Sequence, residues 1–499
     1  MLKMTLDQAD SDAIIGEIIA LQIPPQHVYL VGGAIRDLLL QRSVHDLDFV
    51  VNHNPIELAR KLADRLAGDF FILDHDRQTA RVIHKPSGKQ PVRIDFALFR
   101  GNTLEEDLRG RDFTLNAIAM DIEHPLVYLD PLHGNIAIRQ KLIKACSSNT
   151  FVDDPLRILR LVRIALETGF SVEHETKLLA KSALERLDRV SNERIRDELF
   201  KMMETEKPDL AMRLLEQMGV LRVLMPFLYA GSQTPASVKA RIEHSLSALS
   251  AAKKLIDVLV GNLPDVLTGN LVLGQASLSL GQYRYRLEEV FNQQFNPQRS
   301  HHALFYLAVF LAGFKYFSEI GSDPHENNAW LQSGISQFIG SLALSQDEVR
   351  YLELSSTSLP LFTALLDVDG DLERRDKYRY FARTGERGID VILMSLANIL
   401  GEHSFSLEDA FWRHTLDISR QLMLSWWEEQ DLVVAPQRLV DGDELIDRLG
   451  IPQGPLIGVL LGDLLEEQAA GTVNTKEDAW VFLEARRNIL TSKEDKENG

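Results

Sequence analysis

Short apolar stretches punctuate the first hundred positions, and a three-to-four-residue apolar spacing takes over further along the chain. HVYLV (27–31) reads as a buried strand and DLDFVV (46–51) as a second. FFILD (70–74), ARVIH (80–84) and VRIDFALF (92–99) read as three more. Gly32-Gly33 forms a turn after the first strand, AIRDLLL (34–40) opens a helix, residues 55–66 form another, and KPSGKQ (85–90) is a turn. From Asp153 the pattern is helical. Asp154-Pro155 is a helix start, with an acid at the N-cap and proline at the first helical position. Helices are expected near 173–186, 192–204 and 208–218. Pro226 and GSQTP (231–235) mark a boundary, and SKEDKENG (492–499) has a disordered composition. The expected class is α+β. A head with a mixed sheet and helices (1–145) precedes an all-α neck (146–230), body (231–432) and tail (433–491), and a disordered end (492–499).

Composition narrows the classes. The 499 residues are 45% hydrophobic and 25% charged, enough for several ordinary globular domains. No run of eighteen apolar residues occurs, so no membrane helix is expected. The start, MLKMTLDQADSDAIIG, lacks the layout of a secretory signal. Cys146 is the only cysteine, which excludes an internal disulfide and a multi-cysteine zinc site. A cytoplasmic location is the expectation. The net charge of −18 argues against indiscriminate nucleic-acid binding. Residues 139–213, however, hold 15 lysines and arginines against 13 acids. An RNA backbone would suit that stretch, although the charge alone favours a solvated helical surface.

Two short motifs carry candidate chemistry. In LVGGAIRD (30–37), a strand runs through Gly-Gly into a helix, a geometry suited to a triphosphate. Gly32 and Gly33 allow close approach, and Arg36 adds a cation. In DLDFV (46–50), Asp46 and Asp48 lie two apart on a strand, so both face one side. Paired carboxylates suit Mg²⁺ bridged to substrate phosphates, as in a two-metal site. Asp95, in VRIDF, is the candidate third carboxylate. In DDPLRILRLVR (153–163), Asp154 and Arg157 are three apart and are expected on one helix face. A carboxylate and a guanidinium there could accept from and donate to cytosine or adenine while rejecting guanine and uracil. Arg160 and Arg163 continue the spacing toward phosphate or base.

GGAIRD (32–37) followed by DLDFVV (46–51) resembles the signature of the CCA-adding enzyme and bacterial poly(A) polymerase family, class II nucleotidyltransferases. The resemblance extends through LEEDLRGRDFTLNAIAMD (104–121), DDPLRILRLVRIALETGF (153–170) and SNERIRDELFKMM (191–203). It implies transfer of CMP and AMP from CTP and ATP to the 3′ end of tRNA, with Mg²⁺. It also implies that Arg111 binds the nucleotide, that Asp112 and Asn116 frame the sugar and the head–neck fold, and that Asp154 and Arg157 read the base. The ERIRDEL segment is expected to be structural. Gly110 stands where the family commonly has a second arginine, and Asp153 where it often has glutamate.

The middle of the chain echoes a metal phosphohydrolase. EHSL (243–246) resembles EHTL, but Leu311 and Ala312 occupy the positions of a His-Asp pair. A degenerate scaffold is therefore expected, with His244, His301 and His302 as surface or helix histidines. Residues 437–483 resemble the tail module of longer bacterial members, which grips the outer part of tRNA. Gly442, Pro452 and Gly454 are expected to set its turns.

Full CCA addition, A addition alone and poly(A) tailing are the variants within this chemistry. The loop expected at 74–90 disfavours CC addition alone. Two readings of other classes are a catalytically silent RNA-binding protein, opposed by the intact Asp46 and Asp48, and a phosphohydrolase, opposed by the missing His-Asp pair. The oligomeric state is left open.

Overall fold

Alternation of apolar and polar residues over the first 130 positions resolves into one seven-stranded sheet. The computed structural model describes residues 8–497 apart from 23–25, 45, 87–90, 126, 231–233, 262–269, 297–298, 322–328 and 403–406. The chain gathers into two units. One comprises Met1–Glu198 and Leu214–Val223; the other comprises Leu199–Arg213 and Leu224–Gly499.

In the first unit the elements run α1 (Gln8–Leu21), β1 (Val28–Val31), α2 (Gly33–Leu39), β2 (Asp46–Val51), α3 (Pro55–Leu66), β3 (Asp69–Asp74), β4 (Thr79–His84), β5 (Val92–Leu98), α4 (Leu104–Arg109), β6 (Ala119–Asp121) and β7 (Tyr128–Leu129). The strand order is β3-β4-β5-β2-β1-β6-β7. Only the β2–β5 pair in this sheet is parallel, with Asp48 beside Asp95.

A parallel pair needs a crossover, and α3 lies on the sheet within it. Proline at its start suits the first turn, and its buried stripe is Leu58, Ala59, Leu62 and Ala63. The facing strands bury Leu47, Phe49, Ala80, Val82, Ile94 and Phe96. Phe49 and Phe96 stack with centroids 5.3 Å apart. Burying each such ring stabilises the head by roughly 1.5–3 kcal/mol. That commitment fixes the register, since a one-residue slip would turn these rings to the other face.

The opposite face is apolar where α4 covers it. Val31 and Val50 cluster there with Leu104, Leu108, Ala117 and Ala119. Farther along β2 on the same side come Asp48, half-buried, and Asp46, exposed.

After the sheet come α5 (Gly134–Arg139), α6 (Thr150–Asp153) and α7 (Arg157–Thr168). The expectation of Asp154 and Arg157 on one helix face is corrected here. Asp154 precedes the regular helix with an extended backbone (φ −147°, ψ 98°), and its Oδ1 accepts from the Leu156 N–H at 3.3 Å. It caps the entry turn rather than lying along the helix.

The second unit is helical apart from one short strand pair among its described residues. Helices Pro235–Leu259, His301–Gly321, Gln346–Thr363 and Gly388–Glu402 pack on one another. EHSL lies on the first of these. His244 Nε2 is 3.3 Å from Asn398 Oδ1, and Leu311 and Ala312 are wholly buried core. Among the described residues no cluster of three potential metal ligands lies in this unit. His244 and His301 are buried rather than on the surface, because each satisfies its ring nitrogen with an internal acceptor.

The C-terminal part is a three-helix cluster: Gly442–Leu449, Pro455–Ala470 and Lys476–Glu497. Leu445, Leu460, Leu464, Trp480 and Leu483 form its core. Gly450 (φ 61°) and Gly471 (φ 80°) end the first two helices in the left-handed region, where glycine is unstrained. The last helix runs through Glu497, into the segment whose composition suggests disorder. Lysine and glutamate favour helix, and no proline or glycine intervenes before Gly499. Residues 498–499 lie outside the described residues. Among the described residues no helix is long and apolar enough to cross a membrane.

Candidate active site

Asp46, Asp48 and Asp95 meet on the open face of β2 and β5. The two-residue strand period puts Asp46 and Asp48 on one side, and parallel register sets Asp95 against Asp48. Arg81, opposite Asp95 on β4, donates from Nε at 2.8 Å and Nη2 at 2.7 Å to the two Asp95 oxygens. This bidentate pair neutralises Asp95 and fixes its plane. Asp48 has no such partner. Partial burial first, and then the nearby Asp95 and Asp46 charges, push its carboxyl up to about 6, while Arg111 and Arg160 oppose the rise.

Gly32 sits directly over Asp48. Its backbone (φ 75°, ψ −141°) lies in a region that glycine tolerates and other residues do not. A Cβ there would start 3.3 Å from Asp48 Oδ2 and 3.4 Å from Arg111 Nη1. Carboxylate, guanidinium and bare backbone thus converge at one point. Gly33 has no positive φ, and a Cβ there would meet only the Arg36 guanidinium at 3.4 Å. Arg36 is buried, held by Asp37 (2.9 Å) and Asn116 Oδ1 (3.2 Å). It ties α2 to the RDFTLN segment and does not project as a free cation.

Arg111 is aimed from behind. Asp107, almost wholly buried on α4, accepts from its Nε (3.1 Å) and Nη2 (3.0 Å), and also from the Arg100 N–H (3.0 Å). Arg157 is buried too, and donates to three carbonyls: Gly110 (2.7 Å), Thr150 (3.2 Å) and Arg111 (3.3 Å). Its guanidinium therefore pins the segment that carries Arg111. Asp154 is not brought to it; Arg194 Nη2 lies 2.8 Å from Asp154 Oδ2 instead.

Asp112 is buried and accepts from Arg160 (2.7 and 3.0 Å), Asn116 and the Phe113 N–H. Burial alone would raise its carboxyl, but Arg160 and these donors hold it down at about 2. Arg163 binds Glu198 (2.7 Å) and Glu167 (2.6 Å). Arg160 and Arg163 are thus engaged internally: Arg160 braces the helix against Asp112 of the head, and Arg163 ties it to Glu198.

Three contributors escaped the sequence reading: Arg81, Asp107 and Arg194. The four-residue spacing of Asp107 and Arg111 was a usable signal. Arg81 and Arg194 gave none, since their partners depend on strand register and on a separation of 40 residues.

The raised Asp48 carboxyl has a consequence for stability. With divalent ions chelated, Asp48→Asn is expected to melt higher than the parent at pH 8, by up to about 3 kcal/mol for a two-unit shift. A raised acid destabilises only its ionised form. The gain should therefore be full above about pH 6, shrink as pH falls toward 3.8, and vanish below that. Thermal unfolding in chelator across that range reads it; a gain independent of pH would remove the repulsion argument.

Known proteins share this arrangement's sequence frame. The model for the "Poly A polymerase head domain" matches residues 28–144. That for the "Probable RNA and SrmB- binding site of polymerase A" matches 169–230. The CC-adding tRNA nucleotidyltransferase of Geobacter sulfurreducens is 28% identical over 463 residues, covering 93% of this chain and 92% of the relative. The multifunctional CCA protein of Vibrio campbellii is 36% identical over 248 residues, 46% of this chain and 60% of the relative. A solved CCA-adding enzyme without ligand has a similar fold: TM-score 0.59 at 20% identity, covering 97% of this chain and 95% of that one. The head match, the neck match and the likeness over 93% of the chain agree: residues 28–144 match the poly(A) polymerase head domain, and the chain as a whole is similar to tRNA nucleotidyltransferases.

Proposed function

We propose that this chain adds CMP and AMP from CTP and ATP to the 3′ end of tRNA without a nucleic-acid template, with Mg²⁺, in the cytoplasm. The observation that carries the chemistry is the meeting of Asp48, bare Gly32 and aimed Arg111 at one point, with Asp46 two residues along the same strand face. The residues fit a divalent ion: Asp46 and Asp48 offer two oxygen donors on one face, and their mutual repulsion calls for a cation. Asp95 is the third carboxylate on this face, held by Arg81. A bound ion would neutralise phosphate charge and favour ionisation of the attacking hydroxyl. The primer 3′-oxygen bonds to the α-phosphorus of the incoming nucleotide, the bond to the bridging oxygen breaks, and pyrophosphate leaves. Gly32 lets the phosphates approach, and Arg111 offsets their charge. Base choice is assigned to Asp154 and Arg157. Asp154 is the reachable member; Arg157 also positions Arg111.

RNA has a basic face to meet in the first unit. Lys177 and Lys181 lie four apart on the helix His174–Ser182, and Arg189 follows. All three are exposed, and their side chains have no ion pair among the described residues. Lys177→Glu/Lys181→Glu/Arg189→Glu is expected to raise KM for tRNA at least about tenfold. kcat and KM for CTP should stay near the parent's. The log–log salt dependence of tRNA binding should flatten by about 0.9 per lost phosphate contact. An unchanged slope would mean that the RNA lies elsewhere.

One observation favours a second reading, CC addition alone. The Geobacter relative, matched over 93% of this chain, is named a CC-adding enzyme. The segment 74–90, expected as a loop, is for much of its described length a hairpin turn and strand β4; residues 87–90 lie outside the described residues. Transcripts ending before CCA, after C and after CC, each given CTP or ATP separately with Mg²⁺, decide between the readings. Full CCA addition predicts C incorporation on the first two and A on the third. Failure only on the third makes it a CC-adding enzyme. Extension only of the third makes it an A-adding enzyme, and no incorporation on any ends the catalytic reading.

A further inference from the structure

A cavity of about 560 Å³ opens in the second unit. Its size is in the range of small-ligand sites, ~300–1,000 Å³. Arg350 from Gln346–Thr363 and Arg383 from Arg374–Thr384 line it. Both are exposed, and neither side chain has a hydrogen-bond or ion-pair partner among the described residues. Elsewhere in the same unit Arg213, Arg299, Arg375 and Arg379 each hold a glutamate. Unpaired guanidiniums facing one cavity suit an anion with several oxygens, such as a phosphate.

The adjoining wall is formed by Phe295 and the Arg387 guanidinium over the buried Tyr351 ring. Phe295 and Tyr351 pack edge to face with centroids 5.1 Å apart. Arg387 lies over both rings, 4.8 and 5.4 Å from their centres. Stacked aromatic and guanidinium surfaces receive a nucleobase without demanding a particular one. Two acids also border the cavity. Glu386 is occupied by Arg387 Nη2 at 3.2 Å, and Asp347 stands on the same helix as Arg350.

We infer that this cavity binds a phosphorylated nucleoside unit, with phosphate on Arg350 and Arg383 and the base against the Phe295–Tyr351–Arg387 wall. The unit is either a free nucleotide or one nucleotide of a bound RNA. The inference does not rest on the chemistry assigned to the head, and only its RNA source draws on the proposed substrate.

The test uses the full chain, the variant Arg350→Ala/Arg383→Ala and the conservative Arg350→Lys/Arg383→Lys. A photoreactive azido-guanosine triphosphate is crosslinked and the labelled peptides are mapped; CMP transfer to tRNA is measured in parallel. A free-nucleotide site predicts labelling within 293–295, 347–354 or 382–387 that is lost in the alanine variant and partly restored by lysine. An RNA site predicts no such labelling, but a rise in KM for tRNA of at least about tenfold for two lost charge-assisted contacts, with kcat and KM for CTP unchanged. Absence of both effects in a variant with the parental melting temperature overturns the inference. If the parent transfers no CMP at all, the proposed function fails, while the labelling arm still decides this site.

Discussion

Asp46→Ala/Asp48→Ala is expected to lower nucleotide incorporation at least about a thousandfold, equivalent to ~4 kcal/mol of transition-state stabilisation held by a metal-ligating pair. The fold should survive, since neither side chain is in the apolar core. Asp46 is exposed and Asp48 half-buried, while the rings that fix the sheet, Phe49 and Phe96, point to the other face. Removing two mutually repelling carboxylates should also raise the melting temperature in chelator, in line with the raised Asp48 carboxyl. Binding of tRNA should persist, because the exposed lysines of the neck are untouched. Incorporation assays and filter binding on the same preparation check both halves. Loss of activity together with loss of folding would leave the carboxylates merely structural.

Gly32→Ala should have the next largest effect, a fall of about a hundredfold in transfer, as expected for displacement of reacting groups by around an ångström. Two causes add. The backbone at φ 75°, ψ −141° costs an alanine ~1–3 kcal/mol. The new methyl would also press at 3.3 Å on Asp48 and 3.4 Å on Arg111, the two groups assigned to the ion and to the phosphates. Gly33→Ala supplies the comparison. Its backbone is ordinary, and its methyl would meet only the Arg36 guanidinium, so its loss should be much the smaller. Single-turnover CMP incorporation compares them. Equal losses would mean that Gly32 has no special closeness to the chemistry.

Parts of this arrangement were legible in the sequence because local patterns determine them. DLDFVV became β2 and residues 55–66 became α3, since period-two alternation and a proline-started amphipathic stripe need no distant partner. The three aspartates could be picked out as candidates. Their assembly could not, because it depends on β2 and β5 lying side by side in parallel, which a 40-residue excursion (52–91) through α3, β3 and β4 makes possible only in three dimensions. The arginines were the hardest to read. Arg36, Arg157, Arg160 and Arg163 have the spacing of ligand-binding residues, yet each is engaged by a carboxylate, a side-chain amide or backbone carbonyls. Burying a guanidinium demands such partners, and a one-dimensional pattern does not reveal whether they are internal or supplied by a ligand.

The central claim is that the open face of β2 and β5, beside Gly32 and Arg111, is where the ion and the triphosphate meet. Cleavage of the polypeptide by bound Fe²⁺, with ascorbate and peroxide, tests it most directly. The described residues offer one rival cluster, the surface group Asp121, Glu123 and His124. The account predicts cuts near residues 31–33, 46–48, 94–96 and 110–112, suppressed by excess Mg²⁺ and absent from Asp46→Ala/Asp48→Ala. Cuts confined to 121–124, or unaffected by the double substitution, would contradict it.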